Sequence, residues 1–409
     1  MIKKIGILIN WPREIDMYFQ LIKAIPNKKI EIIVNDIKSR EKGRNNSHKS
    51  IVKILNRKQL KYKFFSKIYK KKLYKILIST GEACSQKITT TSLLKFLYAR
   101  TIGLILKKTN LKNILVFLFN KPLTAESYKN SIGSVWYPEN EIGKKVIKFP
   151  DGMDLKTKNY PYPEYKKVFD SFLTLGKYET KIIKKKFKKK ECFEMGYLRY
   201  ENLKSKKKIY LKMCREFGLD KQKRIIYWTP THIDGNEEFD NVNLWMNKIN
   251  ILNEYYNIII RPHPKSLMIM PGIENKLKKL NYFVDKDPDR KIGEIFKISD
   301  FIISDFGGTI FSAIYLNKPI LVLNLKANSE FTNNLKENLS LDQIIRKQLI
   351  SLPPVISETQ IKKIPKKIMS QQYKKIITRL KEKYFGLQVG NNINLTKDYL
   401  LEVLKKNRS

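Results

Sequence analysis

Phe301-Ile302-Ile303-Ser304-Asp305-Phe306-Gly307-Gly308-Thr309-Ile310-Phe311-Ser312-Ala313-Ile314-Tyr315-Leu316-Asn317-Lys318-Pro319-Ile320-Leu321-Val322-Leu323-Asn324 decides the fold. It is an apolar run, a turn of small residues, an amphipathic segment, a Lys-Pro break and a second apolar run, which together read as a βαβ unit. Ser304, Asp305, Gly307, Gly308 and Thr309 fall where the strand ends and the helix begins. Paired glycines let a ligand approach the backbone, and the free N–H groups of a first helical turn, with the helix dipole behind them, favour an anion. A phosphate or diphosphate is the expected guest.

Working outward, the same pattern repeats. Ile225–Trp228 leads into Thr229-Pro230-Thr231-His232, and Tyr256–Ile260 leads into Arg261-Pro262-His263-Pro264. A short strand at Tyr282–Val284 and a helix over Ile292–Ile298 follow. The first half opens the same way, with a strand at Ile5–Ile9, a helix over Asp16–Ile25 and a strand at Ile30–Val34. Further strands are expected at Ile76–Ser79, Asn113–Phe119, Val146–Phe149 and Phe169–Thr174, with helices over 91–108 and 201–217. The expected fold is α/β: two doubly wound, Rossmann-like domains facing across a cleft. The expected domains are 1–190, 191–370, and terminal helices from 371 to 409 that cross back toward the first domain.

Residues 51–77 are dense in Lys, Tyr, Phe and Ile. They read either as a membrane-interface helix or as a helix packed on the sheet with its lysines outward. The lysine run over 181–190 reads as a solvated helix face near the interdomain crossing. No uninterrupted apolar run reaches the roughly 20 residues of a spanning helix.

The chain has 409 residues and a formal charge of +44, with 82 Lys and Arg against 38 Asp and Glu. Such an excess points to an anionic partner: a membrane surface, a phosphorylated polymer or a nucleotide. No nucleic-acid-reading motif accompanies it, so nucleic acid is not expected. Cys84, Cys192 and Cys214 have neither metal nor disulfide spacing, which fits a reducing cytoplasm. No cofactor or metal is expected.

Ligands of open α/β sheets bind beyond the carboxyl ends of the strands, so the candidates converge there. Of three histidines, His48 lies in a polar loop, while His232 and His263 end strands of one sheet. His263, held between Pro262 and Pro264, can take a proton from a hydroxyl or, when charged, stabilise a phosphate. Arg261 offers a planar fork to phosphate oxygens, or else a structural ion pair. Asp151, before Gly152, reads as a general base or as an ordinary helix cap. Thr231 and His232 complete the set.

With these residues in place, the chain resembles the CDP-glycerol glycerophosphotransferases, the teichoic-acid polymerase family of the GT-B fold. Pro150-Asp151-Gly152-Met153-Asp154-Leu155-Lys156 is similar to that family's W-H-G-T-P-L-K, and Gly196-Tyr197-Leu198-Arg199-Tyr200-Glu201-Asn202-Leu203 to its G-x-P-R-x-D-x-L. Tyr227-Trp228-Thr229-Pro230-Thr231 is similar to Y-A-P-T-W, and Arg261-Pro262-His263-Pro264 to R-x-H-P. The Gly307-Gly308 turn resembles that of the UDP-N-acetylglucosamine 2-epimerases, also GT-B, with Phe311 and Ser312 where their ribose-holding acid stands.

The resemblance implies transfer of glycerol or ribitol phosphate from a CDP-linked donor to an anionic polymer or lipid-linked glycan acceptor, by an enzyme peripheral at the cytoplasmic face of the membrane. His263 and Asp151 would be catalytic. Arg261, Ser304, Asp305, Gly307, Gly308, Thr309, Thr231, His232, Gly152, Arg199 and Ser312 would bind substrate. Asp151 stands where the family has histidine, which keeps open an inverting glycosyl transfer from a nucleotide sugar in surface polysaccharide assembly. A non-catalytic protein that binds an anionic glycan is a third reading.

Overall fold

The computed structural model describes residues 2–37, 47–68, 73–81, 84–85, 135–136, 139–153, 169–231, 241–263, 266–267, 270, 272–287, 290–324, 341–386 and 390–406. The helix expected over 91–108, the strand expected at Asn113–Phe119 and His232 lie outside these residues.

The strands in chain order are β1 (Ile2–Ile9), β2 (Ile30–Val34), β3 (Tyr62–Phe64), β4 (Tyr74–Ser79), β5 (Cys84–Ser85), β6 (Val135–Trp136), β7 (Gly143–Lys148), β8 (Ser171–Thr174) and β9 (Glu191–Glu194) in the first lobe. The second lobe carries β10 (Arg224–Thr229), β11 (Tyr256–Ile260), β12 (Phe283–Val284), β13 (Phe301–Ser304), β14 (Ile320–Leu323) and β15 (Ile350–Leu352). The first sheet has the order β3-β2-β1-β4-β7-β8-β9 and the second β12-β11-β10-β13-β14-β15, with β5 and β6 a separate antiparallel pair. Neighbours within both large sheets run parallel. The strand order therefore reverses beside β1 in one sheet and beside β10 in the other. These are the two switch points at which doubly wound sheets open a crevice. The fold is the GT-B arrangement of two Rossmann-like lobes.

Parallel strands are covered on both faces, so their sequences are continuous apolar runs rather than alternations. Ile225, Ile226, Ile258, Ile259, Ile260, Ile302 and Ile303 are all buried. In the first lobe, helix Glu14–Ala24 returns after β1 and buries Ile15, Tyr18, Leu21 and Ile22.

Residues 51–77 do not form one helix: the reading of a helix packed on the sheet with its lysines outward holds up to Arg57, and beyond it both readings are corrected. Helix Ser47–Arg57 ends in a left-handed turn: Gln59 has φ 54°, and the Leu60 N–H returns to the Leu55 carbonyl at 3.0 Å. The chain then forms β3 on the edge of the sheet and β4 in its interior. Ile51, Ile54 and Leu55 face the core, so the apolar face needed for a membrane surface is already used. No helix among the described residues is long and apolar enough to cross a membrane.

The first sheet also runs past the boundary expected at 190, because β9 pairs with β8 through Glu194. Helices Gln371–Tyr384 and Asn392–Lys406 touch both lobes. Tyr384 meets Tyr178 with ring centroids 5.0 Å apart, and Tyr399 stacks on Phe193 at 4.3 Å. The Ile393 N–H donates to Glu201 at 3.1 Å.

This crossing is tight at Gly176, the residue before helix Lys177–Lys186. A Cβ there would stand 2.6 Å from the Phe385 Cα and 2.7 Å from its carbonyl oxygen. Backbone cannot swing aside as a side-chain tip can. Gly176→Ala should therefore lower unfolding free energy by about 1–3 kcal/mol, read by denaturant titration. Gly152→Ala, where a Cβ meets nothing within 4 Å, should cost far less.

Candidate active site at the strand ends

The switch point of the second sheet is fastened by one carboxylate. Thr229 and Ser304 are register partners at the carboxyl ends of β10 and β13. Asp305, fully buried, accepts from the Thr231 N–H at 2.9 Å, the Phe306 N–H at 2.6 Å and the Asn241 amide at 2.6 Å. Thr231 Oγ1 donates to the Phe306 carbonyl at 2.8 Å. Burial holds the Asp305 carboxyl above its usual range, and these hydrogen bonds offset that only in part.

The turn so fixed delivers Gly307 at φ 86°, ψ −156°, a conformation open to glycine. Helix Gly308–Tyr315 starts directly after it without a side-chain cap. Gly308 is exposed, Thr309 is half-buried, and a Cβ on either glycine would meet nothing within 4 Å. An uncapped first turn with open space before it suits an anion.

Three of the expected binding residues look elsewhere. Ser304 is buried and its Oγ donates to the Thr229 carbonyl at 3.3 Å. Ser312 is buried and its Oγ returns to the Gly308 carbonyl at 3.3 Å. Both hydroxyls satisfy backbone carbonyls within the fold, as short polar side chains do when no water reaches them. Asp305 likewise shapes the turn and does not face the crevice.

Beyond β11, Arg261 N–H donates to the Trp228 carbonyl at 2.9 Å, which keeps its loop level with that of β10. Its guanidinium is only partly available as a phosphate fork. Nη1 donates to Asp285 at 2.7 Å and Nη2 to the Asp287 carbonyl at 3.0 Å. The reason is the burial of Asp285, which is 1% exposed and takes a second guanidinium, Arg290 Nε, at 2.7 Å. Arg290 in turn pairs with Glu216. A buried carboxylate requires such partners. His263 is half-buried, two residues on, and β10 alone separates its strand from β13.

The first lobe presents its own strand ends. Asp151 is exposed and accepts from Lys148 Nζ at 3.0 Å. Gly152 is half-buried, and the Met153 N–H donates to the Tyr197 hydroxyl at 3.1 Å. Behind Asp151 lies a polar network that the sequence reading missed. Glu14 accepts from the Asn10 N–H at 2.7 Å and from Thr80 Oγ1 at 2.6 Å. Asn10 Nδ2 reaches Ser79 Oγ at 3.3 Å, and Ser79 donates to Glu139 at 2.7 Å. Burial, with the Asp151 charge adding, raises the Glu14 pKa to about 7. The visible signal was Asn10 and Thr80, polar residues ending apolar runs.

The lobes meet electrostatically around Asp16 on helix Glu14–Ala24. Burial raises its carboxyl, and Arg199, Lys291, Lys58 and Arg261 oppose this. Arg199 lies among aromatic rings, 5.6 Å from the Tyr197 centroid and 5.1 Å from that of Tyr200, and among the described residues its Nε has no hydrogen-bond partner. Asp151 and Arg199 line one small hollow together with Met17, Phe149 and Tyr197. A larger hollow, about 550 Å³, opens at the opposite ends of the strands between Lys223, Tyr256 and Phe283. Two of its asparagines are tied to backbone, Asn257 to Asp220 and Asn253 to Leu280, and ligands of open α/β sheets bind at the other edge. Among the described residues no cluster of His, Cys, Asp and Glu could hold a metal.

Comparison with known proteins gives this geometry a family context. Residues 151–328 match the family model described as CDP-Glycerol:Poly(glycerophosphate) glycerophosphotransferase, a family of transferases. The teichoic acid poly(glycerol phosphate) polymerase of Bacillus spizizenii is 30% identical over 163 residues, 37% of this chain and 40% of that polymerase. The matched segment thus spans less than half of the curated relative. The solved structure of the wall teichoic acid polymerase TagF superposes with a TM-score of 0.59 at 14% identity, covering 100% of this chain and 90% of that one. The UDP-GlcNAc 2-epimerase of Neisseria meningitidis, bound to UDP-GlcNAc, does so with a TM-score of 0.52 at 14% identity, covering 98% of this chain and 100% of that one. Both structural likenesses concern the fold.

Two outcomes test the site's construction. Asp305→Ala strands the Thr231 and Phe306 N–H groups and the Asn241 amide, and should cost about 2–4 kcal/mol in denaturant unfolding. Glu14 binds its proton more tightly folded than unfolded, so the stability it contributes is full below pH 4.5 and is lost as pH rises to about 7. Glu14→Gln should remove that decline, on the order of 3 kcal/mol, measured as the difference in unfolding free energy between pH 4.5 and 7.5.

Proposed function

We propose that the chain is a transferase that moves a polyol phosphate, glycerol or ribitol phosphate, from a CDP-linked donor to a polymer or glycan acceptor in teichoic-acid-type synthesis. The observation that carries this is the span of the family match: 151–328 runs from Asp151 through both second-lobe strand ends to the Gly307-Gly308 turn. In this reading the donor diphosphate lies on the first turn of helix Gly308–Tyr315, within reach of Arg261 and His263. An acceptor hydroxyl attacks the polyol phosphorus, the new P–O bond forms as the bond to CMP breaks, and the hydroxyl proton passes to a base. His263 or Asp151 takes it, and the helix N–H groups stabilise the charge that develops on phosphate.

The enzyme would work at the inner face of the cell membrane, where a lipid-linked acceptor is anchored and the excess of lysine meets anionic headgroups. One observation favours a second reading. Asp151 supplies a carboxylate where the family has histidine, as inverting transfer from a nucleotide sugar would use.

CMP release from CDP-glycerol and from CDP-ribitol tests the first reading. His263→Ala should lower the rate by about 10²–10⁴-fold in protein that still unfolds cooperatively, with the melting temperature measured alongside to separate lost catalysis from lost fold. Turnover unchanged in that variant would remove His263 from the mechanism. Release of UDP from a nucleotide sugar, with none of CMP, would replace this reading by the second.

A further inference from the structure

Phe19 lies one turn beyond Asp16 on helix Glu14–Ala24, and three ammonium groups from three separate elements stand round its ring. Lys23 Nζ is 4.6 Å from the ring centroid, Lys58 Nζ 4.9 Å and Lys291 Nζ 5.1 Å. Lys23 closes the same helix, Lys58 follows helix Ser47–Arg57, and Lys291 precedes helix Ile292–Ile298 in the second lobe. Those distances keep every pair within about 10 Å, close to one Debye length at physiological salt.

Among the described residues none of the three makes an ion pair within 4 Å. The acids that act on Lys291, Glu294 and Asp16, are already shared. Glu294 pairs with Lys212 at 2.9 Å, and Asp16 also faces Arg199 and Arg261. Burial lowers the pKa of Lys291 and the charges of Lys23 and Lys58 add to this, while Glu294 and Asp16 act in the opposite sense. Three like charges held on one ring, across the seam between two lobes, are opposed by Asp16 and Glu294, acids that Arg199, Arg261 and Lys212 also share.

We propose that Lys23, Lys58 and Lys291 form a binding site for one phosphodiester group of the acceptor chain, at the mouth of the seam between the lobes. The assignment to the acceptor rests on the transferase reading above, whereas the anion chemistry rests on the geometry alone. The donor diphosphate has its own place at the Gly307-Gly308 turn. A bilayer presents its headgroups in a plane, whereas these amines converge on one ring from both lobes. A flexible chain can lay a single phosphate between them. Such a group would also draw Lys291 toward Lys23 and Lys58, so occupancy holds the two lobes together.

The test titrates the whole chain separately with a soluble glycerol-phosphate oligomer, CDP-glycerol and phosphatidylglycerol vesicles, each at two salt concentrations. In Lys58→Ala/Lys291→Ala the oligomer should bind about tenfold or more weakly, with a shallower salt dependence. CDP-glycerol binding should stay within about twofold, and Lys58→Arg/Lys291→Arg should restore the oligomer. Unchanged oligomer binding, or equal loss of oligomer and CDP-glycerol, would overturn the site. Lysine-dependent binding of vesicles with none of the oligomer would overturn the acceptor assignment. Lysine-dependent oligomer binding in a wild-type chain that ignores CDP-glycerol would uphold the site and overturn the donor reading instead.

Discussion

The hydrogen bonds converging on Asp305 are the constraint on which the second lobe's crevice depends. β10 and β13 diverge into different loops at the point where strand order reverses, and nothing in a parallel ladder holds those loops together past the last register pair, Thr229 with Ser304. Asp305 spans the gap by accepting from both sides of it. Removing a carboxylate from water is costly, and three hydrogen-bond donors make the position tolerable. The result is a rigid turn that leaves Gly308 exposed, with room for a Cβ at both glycines, which is what a helix N-terminus needs if an anion is to reach it.

The same logic recurs at lower sites in the fold. Asp285 is enclosed between Arg261 and Arg290, and Arg290 extends the chain of charge to Glu216. Glu14 is enclosed by Asn10 and Thr80 at the first lobe's switch point, where the lobe's own crevice begins. Each carboxylate fixes the loop that follows a strand. At these places buried acids, with Arg261 and Arg290 as partners of one of them, build the frame.

Charge distribution explains why an excess of +44 need not destabilise the chain uniformly. Many lysines stand on solvated helix faces, as Lys184, Lys185 and Lys186 do. Others are drawn to specific places: Lys148 to Asp151, Lys318 to the carbonyls of Lys297 and Ser299, Lys291 to the ring of Phe19. The Lys318 ammonium is held by two carbonyls, and burial lowers its pKa to about 8.

Much of this was legible in the sequence. Strand β11 and helix Ile292–Ile298 coincide with the segments read from apolar periodicity, because unbroken runs of isoleucine between polar turns admit few alternatives. The capping box at Ser357 and Gln360, which opens helix Glu358–Ile368, was also there to read. Residues 51–77 were not, since lysine and aromatic residues suit an edge strand as well as an amphipathic helix until a partner strand is present. Local sequence thus determined that strands would end in polar turns, and that Asp151, Thr231, Arg261, His263 and Gly307-Gly308 would lie at those ends. Only the tertiary structure decided which of these groups remain free to act. It spent Ser304, Ser312, Asp305 and part of Arg261 on holding the fold, and brought Asp16, Lys58 and Lys291 together from distant segments. Hydrogen-bond partners and burial depend on which loops come to lie side by side, and that follows from packing the whole chain.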